Sequence, residues 1–116
     1  MKLTFVEAVS FERIRDDVFS GDLRFHKFQS ELMENPRAGD LIPGSGGVRK
    51  VRWTDERRGK GRRSGIRVIY LYVEAQARIL LIFAYDKNTP DITEQQKRAF
   101  RTIAAEFKAE QIGKDY

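Results

Sequence analysis

Two apolar runs separated by three residues constrain this chain more than any other feature. Gly65 to Val73 holds Ile-Arg-Val-Ile-Tyr-Leu-Tyr-Val, and Ala77 to Tyr85 reads Ala-Arg-Ile-Leu-Leu-Ile-Phe-Ala-Tyr. Branched and aromatic side chains at this density favour strands. Glu74-Ala75-Gln76 leaves room for a tight turn only, so the two strands must pair antiparallel. Both are apolar on both faces, which predicts central strands covered from two sides.

The other elements arrange themselves around this hairpin. Leu3 to Val6 reads as an opening strand. Ser10 is placed to cap a helix carrying Phe11, Ile14, Val18 and Phe19. Ser20-Gly21-Asp22 breaks it, and Asp22 then caps a second helix with Phe25, Phe28, Leu32 and Met33 on one side. Asn35-Pro36 ends that helix, because a residue before proline avoids the helical region. A loop from Ala38 to Gly47 leads to a strand, Val48 to Trp53. Side chains alternate along a strand, so Val51 and Trp53 share one face and Lys50 and Arg52 the other. After Tyr85 a second loop runs from Asp86 to Asp91. Thr93 and Gln96, three apart, form a capping box for a closing helix with Phe100, Ile103, Ala104 and Phe107 as its apolar stripe. The tail, 111–116, is polar and expected to fray. The expected fold class is α+β: a small, mainly antiparallel sheet with an N-terminal helical hairpin and a C-terminal helix, in one domain over 1–116. No repeats interrupt it.

Charge is unevenly spread. The chain carries a net charge of +5, yet nine basic residues lie between Arg49 and Arg67, opposed only by Asp55 and Glu56. That window stands at +7 and the remainder at −2. Much of it is the loop 54–64, with Arg57, Arg58, Lys60, Arg62 and Arg63. A neutral body with one strongly basic segment predicts a polyanion partner, nucleic acid being the commonest. A solvated basic loop without a ligand is the plain alternative. Lys50 and Arg52 project from one strand, and Arg67 opens the next. Crowded cations disfavour the charged form of a neighbouring lysine, which would suit such a residue to general-base work. Tyr85 and Lys87 end the last strand of the hairpin and can approach the same cleft. There Tyr85 either stacks on a base, donates a proton, or simply packs. Trp53 reads as a core residue, and Tyr70 and Tyr72, on one strand face, as core or interface residues.

Several function classes are excluded. With no cysteine and one histidine, disulfides, thiol nucleophiles and histidine-rich metal sites are ruled out. No metal or cofactor is expected. A Ser-His-Asp site would need His26, which has no supporting motif. Pro43-Gly44-Ser45-Gly46-Gly47 lacks the Gly-Lys-Ser/Thr of a phosphate loop and reads as a turn before a strand. Asp91 and Glu94 read as helix-start acids complementing the helix dipole. No run approaches the length of a membrane span, and the acid at Glu7 comes too early for a signal-peptide core, so a cytoplasmic location is expected.

The order and spacing of these segments resemble a known group. The stretches Glu34-Asn35-Pro36-Arg37-Ala38-Gly39-Asp40 and Ile42-Pro43-Gly44-Ser45-Gly46-Gly47-Val48-Arg49-Lys50-Val51-Arg52-Trp53 carry the first part of the likeness. Gly59 to Tyr72, Phe83-Ala84-Tyr85-Asp86-Lys87-Asn88 and Thr93-Glu94-Gln95-Gln96-Lys97 carry the rest. From about Phe5 to Phe107 the chain is similar to the HigB branch of the RelE/ParE toxin superfamily.

This resemblance implies the toxin of a type II toxin–antitoxin pair, a ribosome-dependent endoribonuclease that cuts mRNA in the 30S A site. It implies a HigA-like helix-turn-helix antitoxin as partner. Lys50, Arg52, Arg67 and Lys87 match the family's site cations, and Tyr85 joins them as a candidate. Lys50 or Arg52 would help deprotonate the ribose 2′-hydroxyl or hold the phosphate, and Arg67 and Lys87 would stabilise the phosphorane. Arg49, Arg57, Arg58, Lys60, Arg62 and Arg63 would grip RNA. The pattern departs from the founding RelE type at the closing helix, where Asp91, Ile92 and Thr93 stand in place of a tyrosine. A ParE-like inhibitor of DNA gyrase and a non-catalytic RNA-binding module are the alternative readings.

Overall fold

The computed structural model describes residues 2–54 and 65–113. The apolar hairpin forms as expected, with β4 (Ile66–Val73) and β5 (Arg78–Asp86) pairing antiparallel through a turn of 3-10 helix, Glu74–Gln76. Ala77 takes a left-handed conformation, φ 51°, to close that turn. On one side β3 (Val48–Trp53) pairs antiparallel with β4, and a two-residue strand, β2 (Asp40–Leu41), continues the sheet. On the other side β1 (Thr4–Glu7) lies parallel to β5. The five-stranded order is β1-β5-β4-β3-β2.

Both faces of the sheet are covered along most of β4 and β5, which is why these strands are apolar over most of their length. One face packs against three helices, α1 (Val9–Glu12), α2 (Arg15–Phe19) and α3 (Asp22–Glu34). Phe11, Phe19, Phe25, Phe28 and Leu32 bury themselves there against Trp53, Val68, Tyr70, Ile79 and Leu81. Phe19 is fully buried, with Phe25, Phe28 and Trp53 ring centroids at 5.2, 5.4 and 5.9 Å. Its truncation to alanine is expected to cost about 3–5 kcal/mol. The opposite face packs against α4 (Glu94–Gly113), whose Phe100, Ala104 and Phe107 meet Val48, Ile69, Leu71, Leu80 and Ile82. The capping box at its start is formed: the Thr93 amide donates to Gln96 Oε1 at 2.8 Å, and the Gln96 amide to Thr93 Oγ1 at 3.1 Å.

One irregularity decides which side chains meet. The β4–β5 register slips between Ile69 and Tyr70: Ile69 opposes Phe83 while Tyr70 opposes Leu81, so Ile82 is an extra residue on β5. A bulge of this kind places consecutive residues on one face and re-aims everything beyond it. Ile79 and Leu81 therefore face the α1–α3 side, whereas Ile82, Phe83 and Tyr85 face α4.

β2 owes its place to Tyr70. The buried Tyr70 hydroxyl donates to the Pro36 carbonyl at 2.7 Å and accepts the Gly39 amide at 2.9 Å, pinning the loop before β2. Gly39 passes so close that a Cβ there would lie 2.9 Å from the Lys50 carbonyl carbon and from Tyr70 Cε1. Asp40 consequently stands opposite Lys50. The turn before β3 is closed by the buried Ser45, whose Oγ donates to the Ile42 carbonyl at 2.6 Å and accepts the Val48 amide at 3.0 Å.

Some local expectations are corrected. The first predicted helix is two short ones, interrupted at Ile14 (φ −113°, ψ −7°), and Ala8 rather than Ser10 takes the cap position. Ser10 Oγ instead donates to the Ile82 carbonyl, tying the first turn to β5. Asp22 is the first residue of α3 rather than its cap. Gly21 sits at the cap position with φ 121°, which glycine tolerates. Met33 is exposed, because burying Leu32 rotates the next residue off the apolar stripe. The segment 38–47, expected to be all loop, contributes β2. Among the described residues no helix is long and apolar enough to cross a membrane.

Candidate functional site

The sheet register builds the site. Arg52 on β3 opposes Arg67 on β4, and Arg67 in turn opposes Tyr85 on β5, so the three form one row across three strands. The neighbouring row runs from Lys50 to Ile69 to Phe83, and Phe83 meets Phe100 of α4 at 5.9 Å between ring centroids. All of these side chains belong to the α4 face. The loop after β5 then folds back over the row. Asp86 Oδ1 accepts from the amides of Asn88 and Thr89 and from Thr89 Oγ1, at 3.0–3.1 Å, and this turn presents Lys87.

The result is a cleft of about 240 Å³ lined by Lys50, Arg52, Arg67, Tyr85, Lys87, Thr89 and Asp91. Five of these seven are the catalytic candidates named from sequence. Arg67 is partly buried and also reaches the Gly65 carbonyl at 3.4 Å. Arg52 and Lys87 are exposed. Tyr85 is only 5% exposed, yet its hydroxyl reaches the cleft and donates to Asp91 Oδ1 at 2.9 Å. Burial pushes the Tyr85 phenol up to about 12, assisted by the hydrogen bond and charge of Asp91 and opposed by Arg67. It is therefore a neutral proton-bearing donor at physiological pH. The Tyr85 hydroxyl and the Ile92 amide, with Lys50 contributing, hold the Asp91 carboxyl below the usual carboxylate range. Asp91 Oδ1 lies 3.6 Å from Lys50 Nζ and accepts the Ile92 amide at 2.9 Å.

Other candidates are placed elsewhere. Arg49 lies on the opposite face from Lys50 and Arg52, opposite Tyr70, and donates to the Gly39 carbonyl at 2.7 Å and to Arg37 O at 3.4 Å. Arg57, Arg58, Lys60, Arg62 and Arg63 lie outside the described residues. His26 is exposed on α3, on the other side of the sheet. Asp91 was missed as a site residue. An acid two positions before a capping threonine is indistinguishable in sequence from a helix-start acid, and only the loop geometry turns it into the cleft.

Chemically the cleft can gather a phosphate. Four cations converge on a small open volume, and a neutral phenol points into it. Preorganised cations of this kind stabilise charge that develops on a transferring phosphoryl group. Among the described residues no group of histidine, cysteine, aspartate and glutamate could hold a metal ion. A larger groove of about 640 Å³, between β1–α1 and α4, lies at the far end of β5 and carries mixed charge, Arg13 and Arg78 beside Glu7 and Glu106.

No family model matches the chain. Among solved structures it is similar to a chain of the intact E. coli RelBE toxin–antitoxin complex, with 16% identity over 73% of this chain and 96% of that one, and a TM-score of 0.51. It is also similar to a mutant E. coli RelE toxin in the free state (18% identity, 74% and 84% covered, TM-score 0.49). For the isolated E. coli RelE toxin the values are 18%, 88% and 99%, and 0.47. The likeness to the complex is one of fold: an α+β domain with a mostly antiparallel five-stranded sheet, as in RelE.

Proposed function

We propose that this protein is the toxin of a type II toxin–antitoxin pair, of the HigB branch of the RelE/ParE superfamily, and that it cleaves mRNA in the ribosomal A site. The observation that carries the reading is the convergence of Lys50, Arg52, Arg67, Tyr85 and Lys87 on one cleft. The RelE-like fold supports it.

In this reading the ribose 2′-oxygen attacks the adjacent phosphorus and the bond from phosphorus to the 5′-oxygen breaks. The products are a 2′,3′-cyclic phosphate and a free 5′-hydroxyl. The 2′-hydroxyl gives its proton to solvent water beside Lys50 and Arg52, whose charges stabilise the oxyanion that forms, and the departing 5′-oxygen takes a proton from solvent. Arg67 and Lys87 bear on the phosphorane charge. The ribosome orients the messenger for in-line attack, supplying the positioning that a cleft without a histidine pair needs. The basic residues of 57–63 grip RNA, which makes affinity fall with salt. A HigA-like antitoxin is the partner that silences the site.

The test is a translation reaction with purified protein, programmed ribosomes and a defined messenger, run beside the same messenger without ribosomes, with cuts mapped by primer extension. Cleavage in the A-site codon, and only with ribosomes, is expected. Intact messenger in both reactions overturns the reading and directs attention to gyrase inhibition.

A further inference from the structure

Attack by a ribose 2′-oxygen needs a group that receives its proton, and the cleft offers few. Lys50, Arg52, Arg67 and Lys87 line it as cations. A guanidinium or an ammonium has donors only and no lone pair to take a proton. Lys50 Nζ moreover faces a carboxylate oxygen, Asp91 Oδ1, at 3.6 Å. Thr89 Oγ1 donates to Asp86 Oδ1 at 3.1 Å, and a neutral hydroxyl is a feeble base. The Tyr85 phenol is neutral too, and its one proton is already given to Asp91 Oδ1 at 2.9 Å. That leaves Asp91, the one carboxylate on the lining.

The two oxygens of Asp91 are placed differently. Oδ1 is the anchor: it accepts from the Tyr85 hydroxyl and from the Ile92 amide, both at 2.9 Å. Oδ2 has no hydrogen-bond partner among the described residues, and the side chain is 71% exposed. One oxygen fixes the carboxylate and the other is open to a ligand. The bonds from Tyr85 and Ile92 also hold the group ionised, so it is ready to accept.

We propose that Asp91 is the general base of this site: its Oδ2 takes the proton of the ribose 2′-hydroxyl on that proton's way to solvent. The assignment rests on the nuclease reading above. The bond from the 2′-oxygen to hydrogen breaks as the 2′-oxygen bonds to phosphorus. The bond from phosphorus to the 5′-oxygen breaks, its electron pair stays on that oxygen, and solvent protonates it. Asp91 then releases its proton to water, and the carboxylate is restored. Lys50 and Arg52 stabilise the charge forming on the 2′-oxygen, which lets a weakly basic carboxylate serve. Asp91 is faced by Tyr85 from β5, by Lys50 and Arg52 from β3, by Arg67 from β4 and by Lys87 from its own loop. Glu94, at the start of α4, is paired with Lys97 at 3.1 Å.

The experiment compares wild type with Asp91→Asn, which keeps an amide oxygen for the Tyr85 and Ile92 bonds. Single-turnover cleavage on programmed ribosomes is followed from about pH 6 to about pH 8.5, beside ribosome binding and urea denaturation. Asp91→Asn is expected to be about 100- to 10,000-fold slower, the scale of a lost general base. Its rate should rise about tenfold per pH unit as hydroxide takes over, while the wild-type rate stays nearly flat. Ribosome binding and the fold should be retained. An Asp91→Asn variant within a few-fold of wild type overturns the assignment. So does a variant whose rate follows the same pH profile as wild type, or one whose loss of cleavage is matched by a loss of ribosome binding. A wild type that cuts no messenger removes the nuclease reading, and this assignment with it. A wild type that cuts beside an equally fast Asp91→Asn removes the assignment alone.

Discussion

Arg52 and Arg67 are direct cross-strand partners, so the β3–β4 ladder sets two arginines opposite one another on one face. Like charges so placed destabilise a sheet. Their position is a cost to the fold that a bound phosphate would offset under the proposed function.

Arg67→Ala is therefore expected to separate function from stability. Messenger cleavage should fall roughly 100- to 1,000-fold, the scale of losing a preorganised electrostatic group. Stability should hold or rise by up to about 1 kcal/mol as the repulsion is relieved. Urea denaturation beside the cleavage assay checks both halves. A folded variant that still cuts at the wild-type rate removes Arg67 from the site.

Stability should also respond to alkaline pH through Tyr85. Its folded value, about 12, lies above its ordinary 10.0, so the folded state binds this proton more tightly than the unfolded chain. That contribution is complete below pH 10 and declines as the pH rises toward about 12. Tyr85→Phe has no phenol to ionise. Its denaturation midpoint should fall less steeply than that of wild type over this window.

At the acid end the sign reverses for Asp91. Its carboxyl is held below its ordinary 3.8, so its contribution is present above that value and is lost as the pH falls through the depressed one. Asp91→Asn should show a shallower acid loss of stability in the same measurement.

Gly39→Ala tests the seat of β2. The added methyl would meet the Lys50 backbone and the Tyr70 ring at 2.9 Å, and neither is the free end of a flexible side chain. A loss of about 1–3 kcal/mol is expected, typical of overpacking. Thermal unfolding reads it. Because Asp40 stands opposite Lys50, cleavage should weaken too, where a purely peripheral loop would leave it unchanged.

Thr93→Ala removes half of the capping box at the start of α4. A cost of about 0.5–2 kcal/mol is expected from thermal unfolding. Since Thr93 lies outside the cleft lining, the cleavage rate per folded molecule should be retained.

How much of this was legible in the sequence depends on whether a local rule governed it. The β4–β5 hairpin, the faces of β3 and the Thr93–Gln96 box follow from alternation and spacing, and the structure has them. The gathering of Lys50, Arg52 and Arg67 follows from the same alternation. Tyr85 does not. Strict alternation from Ile79 and Leu81 would turn it toward the α1–α3 side, and only the extra residue at Ile82 brings it to the cleft. The departure of Ser10 from its cap position was equally hidden, because its hydroxyl finds a carbonyl on β5. β2 was hidden for the same kind of reason: two residues carry no pattern, and a hydroxyl on Tyr70 places them. In each case a contact distant in sequence prevailed over a local preference.

The parallel seat of β1 beside β5 has a consequence for the order of events in folding. Ser10 and Ile82, joined by a hydrogen bond, are 72 residues apart. Such a long loop closes late, after nearer pairings have repaid their own entropy. During synthesis the amino-terminal strand must wait for almost the whole sheet to emerge. Tyr85 and Lys87 follow β5's pairing positions with β1, so the same delay applies to the cleft. A nascent chain arrested before Tyr85 has the cations of β3 and β4 but neither the phenol nor Lys87, so the cleft is among the last features of the fold to be completed.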